Sequence, residues 1–249
     1  MKFPTLAQIP RRTIRSFLEA AHETARHRLV SCSSGNLSYR LDENLLLIKS
    51  SRAWLERLSP GDISLCRIAD GRLVDGPKPS VEIGFHAGIM RIRPEAQTVL
   101  HFQSPWATAL ACRSDVRRLS FYITPEVPYY IGPIGHVPFH MPGSSELANA
   151  VVASARRHTL ILMHNHGEVT FGSNFEETLQ RALFFEMTAF LILHGGHRLK
   201  PLPMRNARAL MALTSRKTAA PPRKVPPRAG AQGEGEGMSL PAEAFRPKR

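Results

Sequence analysis

Apolar positions recur at two periods along the chain, and the switches between them mark out its elements. Ile14, Phe17, Leu18, Ala21, Ala25 and Leu29 fall on one face of a helix over residues 10–30, with Arg, Glu and His opposite. The pattern breaks at Ser31-Cys32-Ser33-Ser34-Gly35-Asn36, a run of small, turn-forming residues. Residues 37–40 and 44–49 predict a hairpin around Asp42-Glu43, and 63–68 a further strand before an Asp70-Gly71 turn. From Ser80 a helical pattern over 81–92 replaces this β-rich start. Strands and helices then alternate: strand 97–102, helix 104–113, strand 157–163, helix 174–194. Residues 119–140, rich in Pro and Tyr, hold two short strand candidates at 120–124 and 135–139. Pro142-Gly143-Ser144-Ser145-Glu146 reads as a helix start capped by Ser144 or Ser145. No internal repeat is present, and the fold class is α/β.

After about residue 214 the pattern stops. Pro221-Pro222-Arg223-Lys224 and the Gly-rich run 230–237 have almost nothing to bury, so the sequence divides into a folded domain, 1–214, and a basic Pro/Gly-rich tail, 215–249, expected to be disordered. The formal charge of +13 invites a nucleic-acid reading, but the tail has eight Lys or Arg against three Glu and so carries +5 of it. The rest is scattered, which suits attraction of anionic substrates, and no basic–aromatic stripe favours nucleic acid. No apolar run is long enough for a membrane span, and the N-terminus lacks a secretory signal pattern. Cys32, Cys66 and Cys112 are widely spaced and odd in number, which fits free thiols in a cytoplasmic protein.

Three stretches concentrate chemistry. Glu82 follows Pro79-Ser80-Val81 at the start of a predicted helix. The strand Val99-Leu100-His101-Phe102-Gln103 places His101 and Gln103 on one face, because strand side chains alternate. Ile161-Leu162-Met163-His164-Asn165-His166-Gly167 repeats the pattern of an apolar strand ending in polar groups. Carboxylate, imidazole and amide are donors for a divalent transition metal. The turns at Ser34-Gly35-Asn36, Ser50-Ser51 and Ser80-Val81 offer backbone N–H groups and hydroxyls suited to a phosphate. His86 lies one helical turn after Glu82, spaced to orient its carboxylate.

Taken together, Ser34-Gly35-Asn36-Leu37-Ser38-Tyr39-Arg40, Pro79-Ser80-Val81-Glu82 with His86, His101-Phe102-Gln103-Ser104-Pro105, Pro142-Gly143-Ser144-Ser145-Glu146 and Asn165-His166-Gly167 resemble the class II aldolase/adducin family in order and spacing over roughly residues 10–200. The resemblance implies a three-layer α/β/α fold with a central, mostly antiparallel sheet, and a homotetramer with sites between subunits. It implies a metal-dependent lyase that cleaves a small hydroxyketone or sugar phosphate through an enediolate, with related epimerase, dehydratase or decarboxylase chemistry open. His101 and His166 match two zinc-ligating histidines, and Glu82 matches the acid/base carboxylate. Gly35, Asn36, Ser50, Ser51 and Ser80 fall on the phosphate-holding turns. Tyr122, with Tyr129 and Tyr130 as rivals, stands where a neighbouring subunit's proton donor is expected.

The chain departs from that pattern at Gln103, where the family has a third histidine. Three outcomes stay open. Gln103 ligates through its amide oxygen, with zinc still the first candidate and manganese or iron opened by the harder donor; His164, two residues before His166, replaces the lost ligand; or the site holds no metal and the chain is a catalytically inactive, adducin-like binding module. Val81 also replaces a second serine of the phosphate turn.

Overall fold

The computed structural model describes residues 3–218 of the chain. Its strands are β1 (Asn36–Arg40), β2 (Leu45–Lys49), β3 (Ile63–Arg67), β4 (Leu73–Asp75), β5 (Thr98–Phe102), β6 (Ile134–Val137), β7 (Leu160–Met163) and β8 (Gly167–Gly172). The helices are α1 (Arg11–Arg26), α2 (Ile83–Ile92), α3 (Pro105–Ala111), α4 (Ser145–Ala155), α5 (Phe175–Gly195) and α6 (Met204–Thr218). All eight strands join one sheet in the order β4-β3-β2-β1-β5-β8-β7-β6. Every neighbouring pair is antiparallel except β6 and β7.

The strand sequences explain the three layers. Leu45-Leu46-Leu47-Ile48 is apolar without alternation and buried throughout, as a strand covered on both faces must be. Leu45, Leu47, Leu100, Phe102 and Leu162 pack with Phe17 of α1, Leu110 of α3 and Phe185 of α5. Leu46, Ile48, Val99, Ile161 and Val169 pack on the other face with Phe85 and Ile89 of α2 and Val151 of α4. The expected α/β/α sandwich is therefore present, with α1, α3 and α5 on one side and α2 and α4 on the other.

Local chemistry sets the element ends. Asp42 Oδ1 accepts from the N–H groups of Asn44 (2.7 Å) and Leu45 (2.8 Å), closing the first hairpin. Ser144 caps α4 by accepting from Leu147 N (3.1 Å), and Asn174 caps α5 by accepting from Glu177 N (2.8 Å).

Three expectations change. Residues 120–124 join no ladder; Phe121 instead buries itself beside Phe185, and the chain continues into a π-helix over Val127–Ile131. Residues 167–172, not expected as a strand, form β8. Helix α6 extends past residue 214, so the first four residues of the expected tail are helical; the remainder of that tail, 219–249, lies outside the described residues.

Candidate metal centre

The two apolar faces leave one polar cluster on the α2/α4 side of the sheet, built from three distant segments. Glu82 sits at the mouth of α2, where Ser80 turns the chain: its carbonyl accepts from Ile83 N (3.1 Å) and its hydroxyl from Glu82 N (3.3 Å). Strand β5 alternates, so Leu100 and Phe102 enter the α1/α3/α5 layer while His101 points toward Glu82. His166 lies in the tight turn between β7 and β8, where Asn165 takes φ 56° and Gly167 φ 154°. One donor atom from each of Glu82, His101 and His166 lies within 4.8 Å of the others. No other three acid, histidine or cysteine side chains converge so closely among the described residues.

The hydrogen bonds show what this cluster lacks. His101 Nδ1 lies 2.9 Å from the carbonyl oxygen of Glu168, so that nitrogen must carry the proton. In the neutral ring Nε2 then presents a lone pair, and it faces Glu82 Oε2 at 3.5 Å. Two acceptors opposed in a dry site repel unless a cation lies between them. His166 Nε2 stands 3.4 Å from Glu82 Oε1. Glu82 Oε1 is buried without a hydrogen-bond partner, a costly condition that a bound cation at the cluster would relieve; His166 Nδ1, on the far side of its ring, is also unpartnered. Burial, with the neighbouring His101 second and Glu82 opposing, lowers the His166 pKa to about 4, leaving the ring neutral and available as a ligand at physiological pH. The donor set therefore fits a divalent metal.

Glu82 is further held by Asn36, whose Nδ2 donates to Oε2 at 2.8 Å. Asn36 in turn accepts from His86 Nε2, and His86 Nδ1 lies 2.7 Å from Ser38 Oγ. His86 thus reaches Glu82 through Asn36, and not directly as its helical spacing suggested.

The expected phosphate turns come together around a residue that sequence reasoning missed. Ser51 N donates to Lys78 O (2.8 Å), Ser80 N to Lys49 O (3.1 Å), and Ser50 bridges Pro79, so Ser50, Ser51 and Ser80 are adjacent. Those two N–H groups, and that of Ser50 toward Asp62 O, are already spent. Of these three serines the hydroxyls remain for an anion, with Lys49 beside them. The Lys49 ammonium, 2 % exposed, donates to Ser33 O (2.9 Å) and Ala53 O (2.7 Å), drawing the Ser-Gly-Asn turn to the same place. Burial lowers its pKa to about 8, against a smaller upward pull from Glu82. A lysine closing a buried apolar run before Ser-Ser was the available signal. Gly35 takes φ 68°, and a Cβ there would lie 2.8 Å from His101 O, so only glycine lets this turn close against β5.

The other expected site residues fall in different places. Gln103 lies against Gly167 and near His101: a Cβ on Gly167 would approach its Cγ to 2.7 Å and His101 Cε1 to 3.2 Å. His164 is not in the cluster, because the turn at Asn165 ends the strand alternation that would have put it on the face of His166. It meets His136 instead, Nε2 to Nδ1 at 3.3 Å. Tyr122 packs half-buried in the α1/α3/α5 layer, across the sheet from its own chain's cluster. Among the described residues no helix is long and apolar enough to cross a membrane.

Comparison with known proteins supplies the context. The family described as Class II Aldolase and Adducin N-terminal domain matches residues 15–193. A 3-oxo-tetronate 4-phosphate decarboxylase of Escherichia coli (strain K12) is 34% identical over 169 residues, 67% of this chain and 79% of that protein. An L-fuculose phosphate aldolase of Methanococcus vannielii is 31% identical over 178 residues, 72% of this chain and 94% of its own. The crystal structure of YgbL from Escherichia coli superposes with a TM-score of 0.74 at 28% identity, covering 80% of this chain and 98% of that one.

Proposed function

This chain belongs to the class II aldolase and adducin family, and from that premise we propose that it is a metal-dependent lyase that breaks a carbon–carbon bond in a small phosphorylated hydroxyketone. The observation that carries the reading is the buried Glu82–His101–His166 cluster, whose unpartnered Glu82 Oε1 and facing imidazole nitrogens call for a cation. The intact donor set weighs against an inactive binding module despite the glutamine at position 103.

His101 and His166 would hold the metal with Gln103 Oε1 as third donor; zinc is the first candidate, and manganese or iron follow from the harder amide oxygen. When bound, the metal supplies a Lewis acid that stabilises negative charge developing on the substrate's oxygens as the bond breaks. Glu82, with one oxygen engaged by Asn36 and the other free, handles the proton. Lys49 and the hydroxyls of Ser50, Ser51 and Ser80 would bind the phosphate and so fix the reacting end of the substrate against Glu82. Gly35 closes that wall of the pocket. Tyr122 would serve the site of a neighbouring subunit in a homotetramer, since its own cluster lies across the sheet.

A 3-oxo sugar-acid phosphate is the preferred substrate, a choice supported by the decarboxylase relatives. The bond from the carboxylate carbon to its neighbour breaks, carbon dioxide leaves, and the electron pair delocalises onto the adjacent ketone oxygen. Glu82 then delivers one solvent-derived proton to the carbon. The test is carbon dioxide release from 3-oxo-tetronate 4-phosphate, alongside aldol cleavage of ketose 1-phosphates, by protein loaded with Zn²⁺ or Mn²⁺. Glu82→Gln should lower kcat by about 10²–10⁴-fold, the range for a lost acid/base group. Full activity in that variant, or no turnover of either substrate class by any metal form, refutes the proposal.

A further inference from the structure

Beneath Glu82 runs a chain of polar side chains that the lyase chemistry does not itself require. His86 is fully buried, Asn36 is 4% exposed and Ser38 is fully buried. Asn36 and Ser38 share a face of β1, which pairs with the β5 strand that holds His101; His86 comes from α2, one turn after Glu82. The direction of each hydrogen bond can be worked out from Glu82. Its Oε2 only accepts when ionised, so Asn36 must present its NH₂ group there. Asn36 Oδ1 is thereby turned toward His86 Nε2, which must donate. Burial, with the neighbouring His101 and the Lys49 ammonium adding to it, holds the His86 pKa well below its ordinary value, so the ring is neutral and its one proton is on Nε2. Nδ1 is then an acceptor, and the Ser38 hydroxyl at 2.7 Å donates to it. Every member has one consistent role, and reversing any one leaves two donors or two acceptors face to face.

We propose that His86 is a positioning residue: with Ser38 behind it, it locks the amide of Asn36 so that Asn36 can only donate to Glu82 Oε2, which leaves Glu82 Oε1 as the free oxygen at the metal cluster. Asn36 is on this view a support for the carboxylate, its side chain spent before any phosphate arrives. Without the lock, the Asn36 amide turns over, its oxygen meets the carboxylate, and Glu82 swings away from His101 and His166. The inference rests on the metal-centre reading given above.

The experiment is a double-mutant cycle on folded protein, read by Zn²⁺ affinity in chelator competition. His86→Leu and Asn36→Ala should each weaken Zn²⁺ binding by about 10–100-fold, the range for lost outer partners of a metal ligand. The double variant should be no weaker than the worse single, because both remove one device. His86→Gln, whose amide can still donate to Asn36, should recover most of the affinity. Co²⁺-loaded His86→Leu should show an altered visible absorption band. Additive losses, or Zn²⁺ affinity of His86→Leu within twofold of wild type, overturn the proposal. If His86→Leu does not fold, Ser38→Ala takes its place in the cycle, with an expected loss of two- to tenfold. If the wild-type protein binds no Zn²⁺, the metal-centre reading fails by itself. Crystal structures of the metal-free variants then decide, the lock requiring that the Glu82 carboxylate move in both and overturned if it stays in place.

Discussion

Replacing Glu168 by methionine should stabilise this protein. Glu168 belongs to β8, where Phe102 of β5 and Leu162 of β7 are its cross-strand neighbours, both without solvent exposure. It is itself fully buried, and neither carboxyl oxygen has a partner. Burial raises its pKa well above the ordinary 4.5, and the nearby Glu186 carboxylate adds to the rise. Glu186 is committed elsewhere: it accepts from Ser104 Oγ (2.6 Å) and from the N–H of Ala107 (2.8 Å) at the start of α3. An unsatisfied buried polar group costs about 1–3 kcal/mol, and two oxygens are involved. Methionine has a similar length and no such groups, so Glu168→Met should gain roughly 2–4 kcal/mol at pH 7 after some loss in packing. For a chain of this size that is a Tm higher by roughly 4–15 °C. Because the folded pKa is raised, the wild-type stability attributable to this group is fully present below about 4.5 and lost as pH climbs toward the folded value. The advantage of methionine should therefore shrink at pH 4 and grow toward pH 8. Calorimetry of both proteins across that range is the assay. An unchanged or lower Tm at pH 7, or a gain indifferent to pH, refutes the reasoning.

The remaining predictions concern the site. The Lys49 pKa of about 8 means that inhibition by inorganic phosphate should weaken roughly tenfold per pH unit above that value, and Lys49→Met should abolish both the inhibition and its pH dependence, as read by inhibition constants. The same depressed pKa makes the unfolded chain bind more protons between pH 8 and 10.5, so this group's contribution to stability should rise across that interval, by about 3 kcal/mol at most, in urea titrations. Gly167→Ala puts a methyl 2.7 Å from Phe102 O and Gln103 Cγ at φ 154°, and should reduce Zn²⁺ affinity at least tenfold while costing about 1–3 kcal/mol of stability. Stripping the metal with a chelator should abolish turnover, and Zn²⁺ or Mn²⁺ should restore it; retained activity after complete removal would exclude the metal reading.

Much of the sandwich was legible because its strands announce themselves. Strands β2, β5 and β7 are short apolar runs, β1 and β3 alternate between turn residues, and α1 and α5 keep a clean helical period. Strand β8 escaped because two glycines flank it and a glutamate occupies a fully buried position, an exception that only the surrounding sheet makes legible. The segment at 120–124 looked like a strand from its composition, but apolar residues also serve to cover a helix layer without pairing. Within the site, Glu82, His101 and His166 stood out by residue type and setting. The place of His164 did not, since alternation holds only while the backbone stays extended and Asn165 turns it. The link from His86 to Glu82 through Asn36 depends on β1 pairing with β5, a tertiary fact that helical spacing cannot carry.

The three cluster residues lie on segments that meet through the sheet: β5 carries one, the β7–β8 turn another, and the entry to α2 the third. Closing such distant contacts comes late and costs loop entropy that local turns do not. During synthesis the first two residues leave the ribosome long before the last, and until β8 docks beside β5 there is no third wall. A nascent chain of this protein therefore offers a cation only scattered single donors. Loading belongs after β8 has docked, and a chain cut before β8 should be translated normally yet never acquire its ion.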